Sequence, residues 1–237
     1  MLEALMERVV QGPLTSERHG RHVLIEPTCE TNRPDVYPTQ AVVVTTAARR
    51  IIELSKASEK IADVVVSGET DPMLHEDFRE IAENLKELCK KWYPKVGMTL
   101  ETKALALHNA DLRHCLTLFG RPIVRFEYGT QKTFAAITGQ KPAMLKEVAE
   151  NLGRVELERW IMEVRLVRGA ADNSTESELR AIAKYATEFK PGSMLVSTPA
   201  KADPQTKLKP VTKTALDKAV ATLADKTGLE VEIASTE

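Results

Sequence analysis

The sequence has no run of about 18 apolar residues, so no segment reads as a membrane-spanning helix. Its first residues, MLEALMERVVQG, mix acidic and basic side chains and lack the apolar centre of a secretory leader. Cysteine is scarce: Cys29, Cys89 and Cys115 are odd in number and have no close pair, which argues against a disulfide framework and fits a reducing compartment. A cytoplasmic protein without a membrane partner is expected. There is no phosphate-binding loop, no Gly-x-Gly-x-x-Gly, no Gly-x-Ser-x-Gly, no internal repeat and no low-complexity tract. Histidine supplies no metal site: His19 and His22 stand before and inside an expected strand, His108 and His114 flank Asp111, and neither set has zinc-ligand spacing. An excess of charge of one sign is also missing. Lys plus Arg number 33 against 34 Asp plus Glu, a formal charge of -1, so bulk electrostatics gives no reason for a nucleic-acid or acidic-membrane partner.

What is present is enough chain to bury a sizeable core. At 237 residues it is long for an ordinary domain, yet within the range of one α/β barrel, and a single domain over 1–237 is expected. Short apolar runs alternate with longer segments of helical period, the pattern of βα units that build a parallel sheet. Strands are predicted at 22–26, 63–67, 95–100, 122–128, 159–167 and 194–197, with a small last strand at 229–233. Helices are predicted at 40–60, 76–92, 111–118, 132–138, 142–151, 175–189 and 213–227. Ser174 or Thr175 leading Glu178 forms a capping box at the start of one of them. Residues 199–210, with three prolines, read as a loop. Its lysines, with Lys213, form a basic stretch (Lys201, Lys207, Lys209) that reads as a solvated face rather than a phosphate site. Six such units suggest an open, partial barrel whose functional rim is at the strand C-termini, by analogy with complete barrels.

The segment after the first predicted strand, Cys29-Glu30-Thr31-Asn32-Arg33-Pro34-Asp35-Val36, is preceded by Gly12-Pro13-Leu14-Thr15-Ser16-Glu17-Arg18-His19-Gly20-Arg21. This stretch resembles the N-terminal part of radical S-adenosylmethionine proteins of the wyosine-synthesis and iron-sulfur oxidoreductase group. The resemblance implies a Cys-x3-Cys-x2-Cys motif whose thiolates hold a [4Fe-4S] cluster. Counted from Cys29, the next two ligand positions are Arg33 and Val36, and neither binds iron. Cys89 and Cys115 lie in helical patterns and read as ordinary partly buried thiols.

The most specific likeness is Ser67-Gly68-Glu69-Thr70-Asp71-Pro72-Met73-Leu74-His75-Glu76-Asp77-Phe78, similar to the family's Ser-Gly-x-Gly-Glu-Pro-Thr-Leu-His-Pro-Asp-Phe. The resemblance implies a turn whose main-chain carbonyls meet the amino group of S-adenosylmethionine. Thr70 replaces a glycine where backbone and ligand approach closely, and Asp71 keeps a shortened carboxylate. The competing reading, which is preferred, is a turn that caps the following helix through Asp71 or His75. Residues 124–134 resemble the family's Ser-Leu-Asp-Ala-Gly-Thr-x-x-Thr-Phe: Gly129, Thr130, Thr133 and Phe134 match, while Phe126 and Tyr128 take the places of a cofactor-facing serine and aspartate and would fill the pocket. Residues 160–169 with Asp172 and Asn173, and Met194-Leu195-Val196-Ser197-Thr198-Pro199, match two further strands, so the likeness runs from about residue 12 to 233.

Period-two alternation places Ile161, Glu163, Arg165 and Val167 on one face and Trp160, Met162, Val164 and Leu166 on the other. If Arg125 and Glu127 share the side of Glu163 and Arg165, two Arg–Glu pairs meet there, since buried charges must be paired. They would be a polar network standing in for a lost cofactor or, less favoured, a site for a small charged ligand.

The expected fold is therefore α/β, a radical-SAM-like partial (βα)6 TIM-type barrel. The expected function is that of a degenerate member, without [4Fe-4S] cluster or radical chemistry, acting as a non-catalytic partner or regulatory subunit of another protein. Alternatives are cluster ligation in a non-standard way, with Cys29 the one motif thiol, or cluster-free binding of S-adenosylmethionine or another small ligand. The residues of that vestigial or small-ligand pocket would be Gly68, Thr70, Asp71, Pro72, Glu163 and Arg165. No catalytic residue is named. A tRNA partner, implied by the wyosine-synthesis relatives, ranks last because of the near-neutral charge.

Overall fold

The structure is a computed structural model that describes residues 2–31 and 36–234. Arg33, at the second expected ligand position, is outside the described residues. The chain separates into two compact units, one of residues 1–102 with 110–122 and the other of residues 103–109 with 123–237.

The first unit runs α1 (Leu2–Val9), β1 (Val10–Ser16), β2 (Gly20–Ile25), α2 (Gln40–Lys56), β3 (Asp63–Val66), α3 (Phe78–Trp92), β4 (Gly97–Lys103) and α4 (Ala110–Cys115), with a 3-10 turn at Pro72–Leu74. β2, β3 and β4 are parallel neighbours, with His22 opposite Asp63 and Asp63 opposite Gly97. β3 is buried on both faces, as its unbroken Asp-Val-Val-Val composition predicts for a covered parallel strand. α3 turns Phe78, Ile81, Ala82, Leu85 and Cys89 to the core, the three- and four-residue spacing read from the sequence.

α1 and β1 were not among the predicted elements. β1 pairs antiparallel with β2 and is interrupted by Gly12-Pro13 with a register shift between Gln11 and Leu14, so it shows neither β-branched continuity nor clean alternation. The predicted first strand begins two residues earlier, at Gly20, as the return arm of this hairpin.

The second unit takes in the last three residues of β5 (Arg121–Arg125), then α5 (Gln131–Thr138), α6 (Met144–Leu152), β6 (Ile161–Arg165), β7 (Val167–Gly169), α7 (Glu176–Phe189), β8 (Ser193–Ser197), β9 (Leu208–Pro210), α8 (Lys213–Thr227) and β10 (Val231–Ile233). β5, β6, β8 and β10 are parallel in that order. The single strand predicted at 159–167 is thus two, because Leu166 leaves the β6 ladder and its N–H donates to the Ser197 carbonyl while the next residues pair with β9. β9 lies inside the stretch read as a loop.

Three parallel strands of the first unit, β2, β3 and β4, and three that run parallel to one another, β5, β6 and β8, are each followed by a helix, so the α/β class and its βα repetition are as expected. No described helix is long and apolar enough to cross a membrane.

Local capping explains several boundaries. Thr175 Oγ1 accepts from the Glu178 N–H at the start of α7, one half of the anticipated capping box. The other half is absent, because Glu178 points elsewhere: its carboxylate accepts from the Gly129 N–H (2.8 Å) and from the hydroxyls of Thr130 (2.7 Å) and Thr133 (2.8 Å). This joins the start of α5 to α7 and accounts for residues 129–133 as a structural lock. A Cβ on Gly129 would stand 2.6 Å from the Glu178 carbonyl and 2.8 Å from the Ala181 methyl. Gly129→Ala is expected to destabilise the protein by about 2 kcal/mol through this overpacking, measured as a lowered urea midpoint; a loss below about 0.5 kcal/mol would contradict the lock.

Candidate functional site

Cys29 follows β2 by four residues and is buried. Burial, with the nearby Glu26 carboxylate adding to it, pushes its thiol up to about 11, so it is protonated at neutral pH. Val36 carries an apolar, exposed side chain. Cys89 is pushed up to about 12 and Cys115 to about 11, again chiefly by burial, one within α3 and the other at the end of α4. Iron–sulfur ligation requires thiolates converging on one point. Among the described residues no three His, Cys, Asp or Glu side chains form a group able to hold a metal ion. Among the described residues the donor set does not fit a [4Fe-4S] cluster.

The turn after β3 is occupied by its own hydrogen bonds. Asp71 Oδ1 accepts from the Met73 N–H at 3.0 Å, capping the 3-10 turn, and both its carboxylate oxygens lie 2.9 Å from the donating Thr102 hydroxyl. Pro72 is the first residue of that turn and is buried. His75 accepts from the Asp77 N–H through Nδ1 and donates to the Pro38 carbonyl through Nε2 at 2.7 Å. Asp71 thus caps the 3-10 turn and not the following helix as expected: α3 begins at its N-cap Asp77 without a side-chain cap hydrogen bond, and His75 takes up only the N–H of that residue. The Thr70 carbonyl, in the stretch where the family resemblance puts amine-binding carbonyls, accepts from the Thr28 hydroxyl at 2.8 Å. Gly68 sits close by: a Cβ there would be 3.1 Å from the Thr70 carbonyl and 3.3 Å from Glu26 Oε2.

Beside this turn is a cavity of about 350 Å³ whose walls include Arg8, Glu26, Cys29, Glu69 and Thr70. Glu26 is held by the Gln11 amide at 2.7 Å, and its carboxyl is raised by burial and by Glu69. The cavity is polar and carries charges of both signs, so it suits a small zwitterionic molecule better than an apolar one.

A second polar constellation in this unit was not anticipated. The turn between β1 and β2 inserts Arg18 and His19 against the strands. His19 Nδ1 is 3.2 Å from Asp63 Oδ2 and Nε2 is 3.2 Å from Glu101 Oε1, while Arg18 Nη2 is 3.0 Å from the same Glu101 oxygen. Thr99 donates to Asp63 Oδ2 at 2.6 Å and Ser67 to Glu101 Oε2 at 2.9 Å. Burial would lower the His19 pKa, but hydrogen bonds and charge from Asp63 and Glu101 outweigh it and raise it to about 9. Burial likewise opposes ionisation of Glu101, yet His19, Arg18 and Ser67 bring it down to about 2. An imidazolium and two carboxylates form a paired internal network. Its weak sequence signal was a run of Arg-His before the first parallel strand and an acid, Asp63, opening a β-branched one.

In the second unit the two Arg–Glu pairs form across adjacent strands. Arg125 donates through Nε and Nη2 to Glu163 Oε2 (3.1 and 3.0 Å), and Ser197 donates to Glu163 Oε1 at 2.9 Å. Arg165 donates to the two Glu127 oxygens at 3.2 and 3.3 Å. Asn173, fully buried, donates to the carbonyls of Glu127 and Arg165 and accepts from the Val167 N–H. Glu163 and Glu127 are buried, and the guanidinium side chains keep 23% and 32% of their surface in solvent.

This corrects one expectation. Phe126 and Tyr128 do not fill a cofactor pocket; Phe126 packs edge-on against Tyr128, Tyr185 and Phe189, and Tyr128 against Phe134, on the side covered by α5 and α7. Alternation then assigns Arg125 and Glu127 to the opposite side, where they meet Glu163 and Arg165. Of the sequence-predicted pocket residues, Gly68, Thr70, Asp71 and Pro72 belong to the first unit and Glu163 and Arg165 to the second.

The sequence matches no family model, and a comparison with curated proteins finds no match. The structure is similar to that of a domain of pyruvate-formate lyase-activating enzyme from Bacteroides vulgatus, with a TM-score of 0.52 and 13% identity over 73% of this chain and 98% of that one. Weaker likenesses are to a Bacteroides thetaiotaomicron protein assigned as an alpha-L-fucosidase (TM-score 0.45, 12% identity, 91% and 76% covered) and to the PgaB (BpsB) glycoside hydrolase domain of Bordetella bronchiseptica (TM-score 0.42, 8% identity, 86% and 63% covered). At these identities the likeness is one of fold.

Proposed function

We propose that this chain is a degenerate radical-SAM-like protein that holds no [4Fe-4S] cluster and acts as a non-catalytic partner or regulatory subunit of another protein. The observation that carries the reading is the state of Cys29: a buried, protonated thiol with Val36 at the third ligand position and with the other two thiols buried in helices. The fold it shares with a domain of an activating enzyme supports the scaffold half of the reading. The internal ion pairs support the other half, because Glu163 and Arg165 are already partnered by Arg125 and Glu127 and hold each other in place. Their role is that of a network where a cofactor would otherwise be held.

The test is reconstitution of the full chain with iron and sulfide without oxygen, followed by analysis of bound iron and acid-labile sulfide. Fewer than about 0.5 of each per chain is expected. About four of each, lost in Cys29→Ala, would overturn the proposal and establish non-standard ligation.

A second reading is favoured by the polar cavity lined by Glu26, Cys29, Glu69 and Thr70: binding of S-adenosylmethionine or another small ligand without iron. Titration calorimetry with S-adenosylmethionine separates it from the first. Saturable binding that Glu69→Lys abolishes would establish it, and no heat at millimolar ligand would remove it.

A further inference from the structure

Beyond β6 the chain forms a feature that neither the parallel strands nor the internal ion pairs require. β7 and β9 make an antiparallel ribbon with Val167 opposite Pro210, Arg168 opposite Lys209 and Gly169 opposite Leu208. Val167 and Leu208 are buried with Ala171 against Ile137, which gives the ribbon one apolar face. Alternation turns Arg168 and Lys209 to the other, and both are exposed. They therefore stand directly across from each other, an arrangement of like charges that destabilises a strand pair.

The ribbon is nevertheless held firmly. Gly169 has φ +111°, and a Cβ there would collide with the Lys207 carbonyl, so only glycine permits this approach. Thr198 Oγ1 donates to the Leu166 carbonyl and accepts from the Val211 N–H, both at 2.9 Å. The Asp203 N–H donates to the Leu208 carbonyl at 2.8 Å.

The acids of this region do not neutralise its cations. Asp172 accepts from the Ser174 N–H and hydroxyl, and Asp203 from the Gln205 N–H and the Thr206 hydroxyl, so both are engaged in their own turns. Arg165 is paired with Glu127. Among the described residues Arg168, Lys201, Lys207 and Lys209 form no ion pair. Several cations are thus displayed on a rigid ribbon in a chain whose net charge is -1.

We infer that the exposed face of the β7–β9 ribbon, Arg168 and Lys209 flanked by Lys201 and Lys207, docks an acidic, Asp/Glu-rich segment of a protein partner. Carboxylates placed between the opposed cations relieve the repulsion that the ribbon bears alone, and this complementarity selects the partner. A nucleic-acid strand is the poorer occupant. Residues 165–175 and 198–213 contain no aromatic side chain on which bases could stack. The inference rests on the reading of the chain as a partner protein and names the chemistry of what it binds.

The experiment is fluorescence anisotropy of a labelled peptide of about ten alternating Glu and Asp residues with the full chain, at low and at moderate salt. The expected result is salt-sensitive binding that falls about tenfold or more in Arg168→Glu/Lys209→Glu. A matched reversal on exposed helix positions, Lys86→Glu/Lys218→Glu, should leave it within about twofold. The neutral pair Arg168→Gln/Lys209→Gln, checked by circular dichroism, should also weaken binding and guards against misfolding of the reversed variant. No binding by the wild-type chain, equal loss in the helix control, or tighter binding of a single-stranded oligonucleotide of equal charge would each overturn the inference. Iron and sulfide content is read on the same samples. Cluster uptake with peptide binding intact refutes the proposed function and leaves the docking surface standing, whereas no cluster and no peptide binding refutes the docking surface alone.

Discussion

Glu163→Ala is expected to destabilise the second unit by about 3 kcal/mol, towards the lower end of the range for breaking a buried pair. The carboxylate is almost fully enclosed and accepts two hydrogen bonds from Arg125 and one from Ser197. Its removal takes from the Arg125 guanidinium and the Ser197 hydroxyl an acceptor that both use. The estimate is kept low because the Arg125 side chain retains 23% of its surface in solvent, and water will recover part of the loss. A double variant, Arg125→Met/Glu163→Leu, is expected to be only about 1 to 2 kcal/mol less stable than the wild type, since an apolar pair of similar volume carries no desolvation penalty and the Ser197 hydroxyl alone loses its acceptor. Urea denaturation of the single and double variants gives both numbers. If the double variant is as unstable as Glu163→Ala, the pair does more than satisfy itself, and the case for a ligand that uses these charges becomes the stronger one.

Stability is expected to be highest on a plateau between about pH 4.5 and 6.5 and to fall on both sides because of one buried network in the first unit. His19 has its folded value raised to about 9 from 6.5, so its contribution is fully present below 6.5 and is lost as pH rises through 9. Glu101 has its folded value lowered to about 2 from 4.5, so its contribution is present above 4.5 and is lost as pH falls towards 2. Both shifts report largely the same His19–Glu101 contact and are counted once on each limb. The alkaline limb should amount to about 2 to 3 kcal/mol at pH 9.5 relative to pH 6. His19→Gln retains hydrogen-bonding capacity without the titration, and in that variant the alkaline limb between pH 6.5 and 9 should flatten. The measurement is the urea midpoint from pH 5 to 10. An unchanged alkaline slope in the variant would assign that limb to other groups.

The two networks differ in how far they could be read in advance. Arg125, Glu127, Glu163 and Arg165 fall at alternate positions of two strands, and alternation alone limits each to one of two faces. The cost of burying a charge without a partner then demands pairing, and the structure supplies the face and the crossed partners. His19 offers no such regularity. Its partners Asp63 and Glu101 lie 44 and 82 residues away, Asp63 opening an otherwise apolar strand and Glu101 inside one of mixed composition, and they meet only because a hairpin turn folds back onto β3 and β4. The hairpin itself escaped detection for a related reason, since β1 is an edge strand broken by Gly12-Pro13 and buries little beyond Val10. With Gly129 in register with the motif glycine, Arg125 and Glu127 rather than Phe126 and Tyr128 take the serine and aspartate positions, and in a strand one residue exchanges the two faces.

The sequence by itself determined the order of six βα units, the alternate placing of the strand acids and arginines, and the absence of a three-thiol motif around Cys29. These are local properties: periodicity, residue type and spacing are all present in a short window of chain. The tertiary structure alone decided that Asp71 also accepts from the Thr102 hydroxyl and that His75 donates to the Pro38 carbonyl, that Glu178 binds the α5 N-terminus rather than completing its own capping box, and that Arg168 and Lys209 face each other across a ribbon. Each depends on which distant backbone or side chain arrives beside a polar group. That is set by packing of whole elements, which no short window contains.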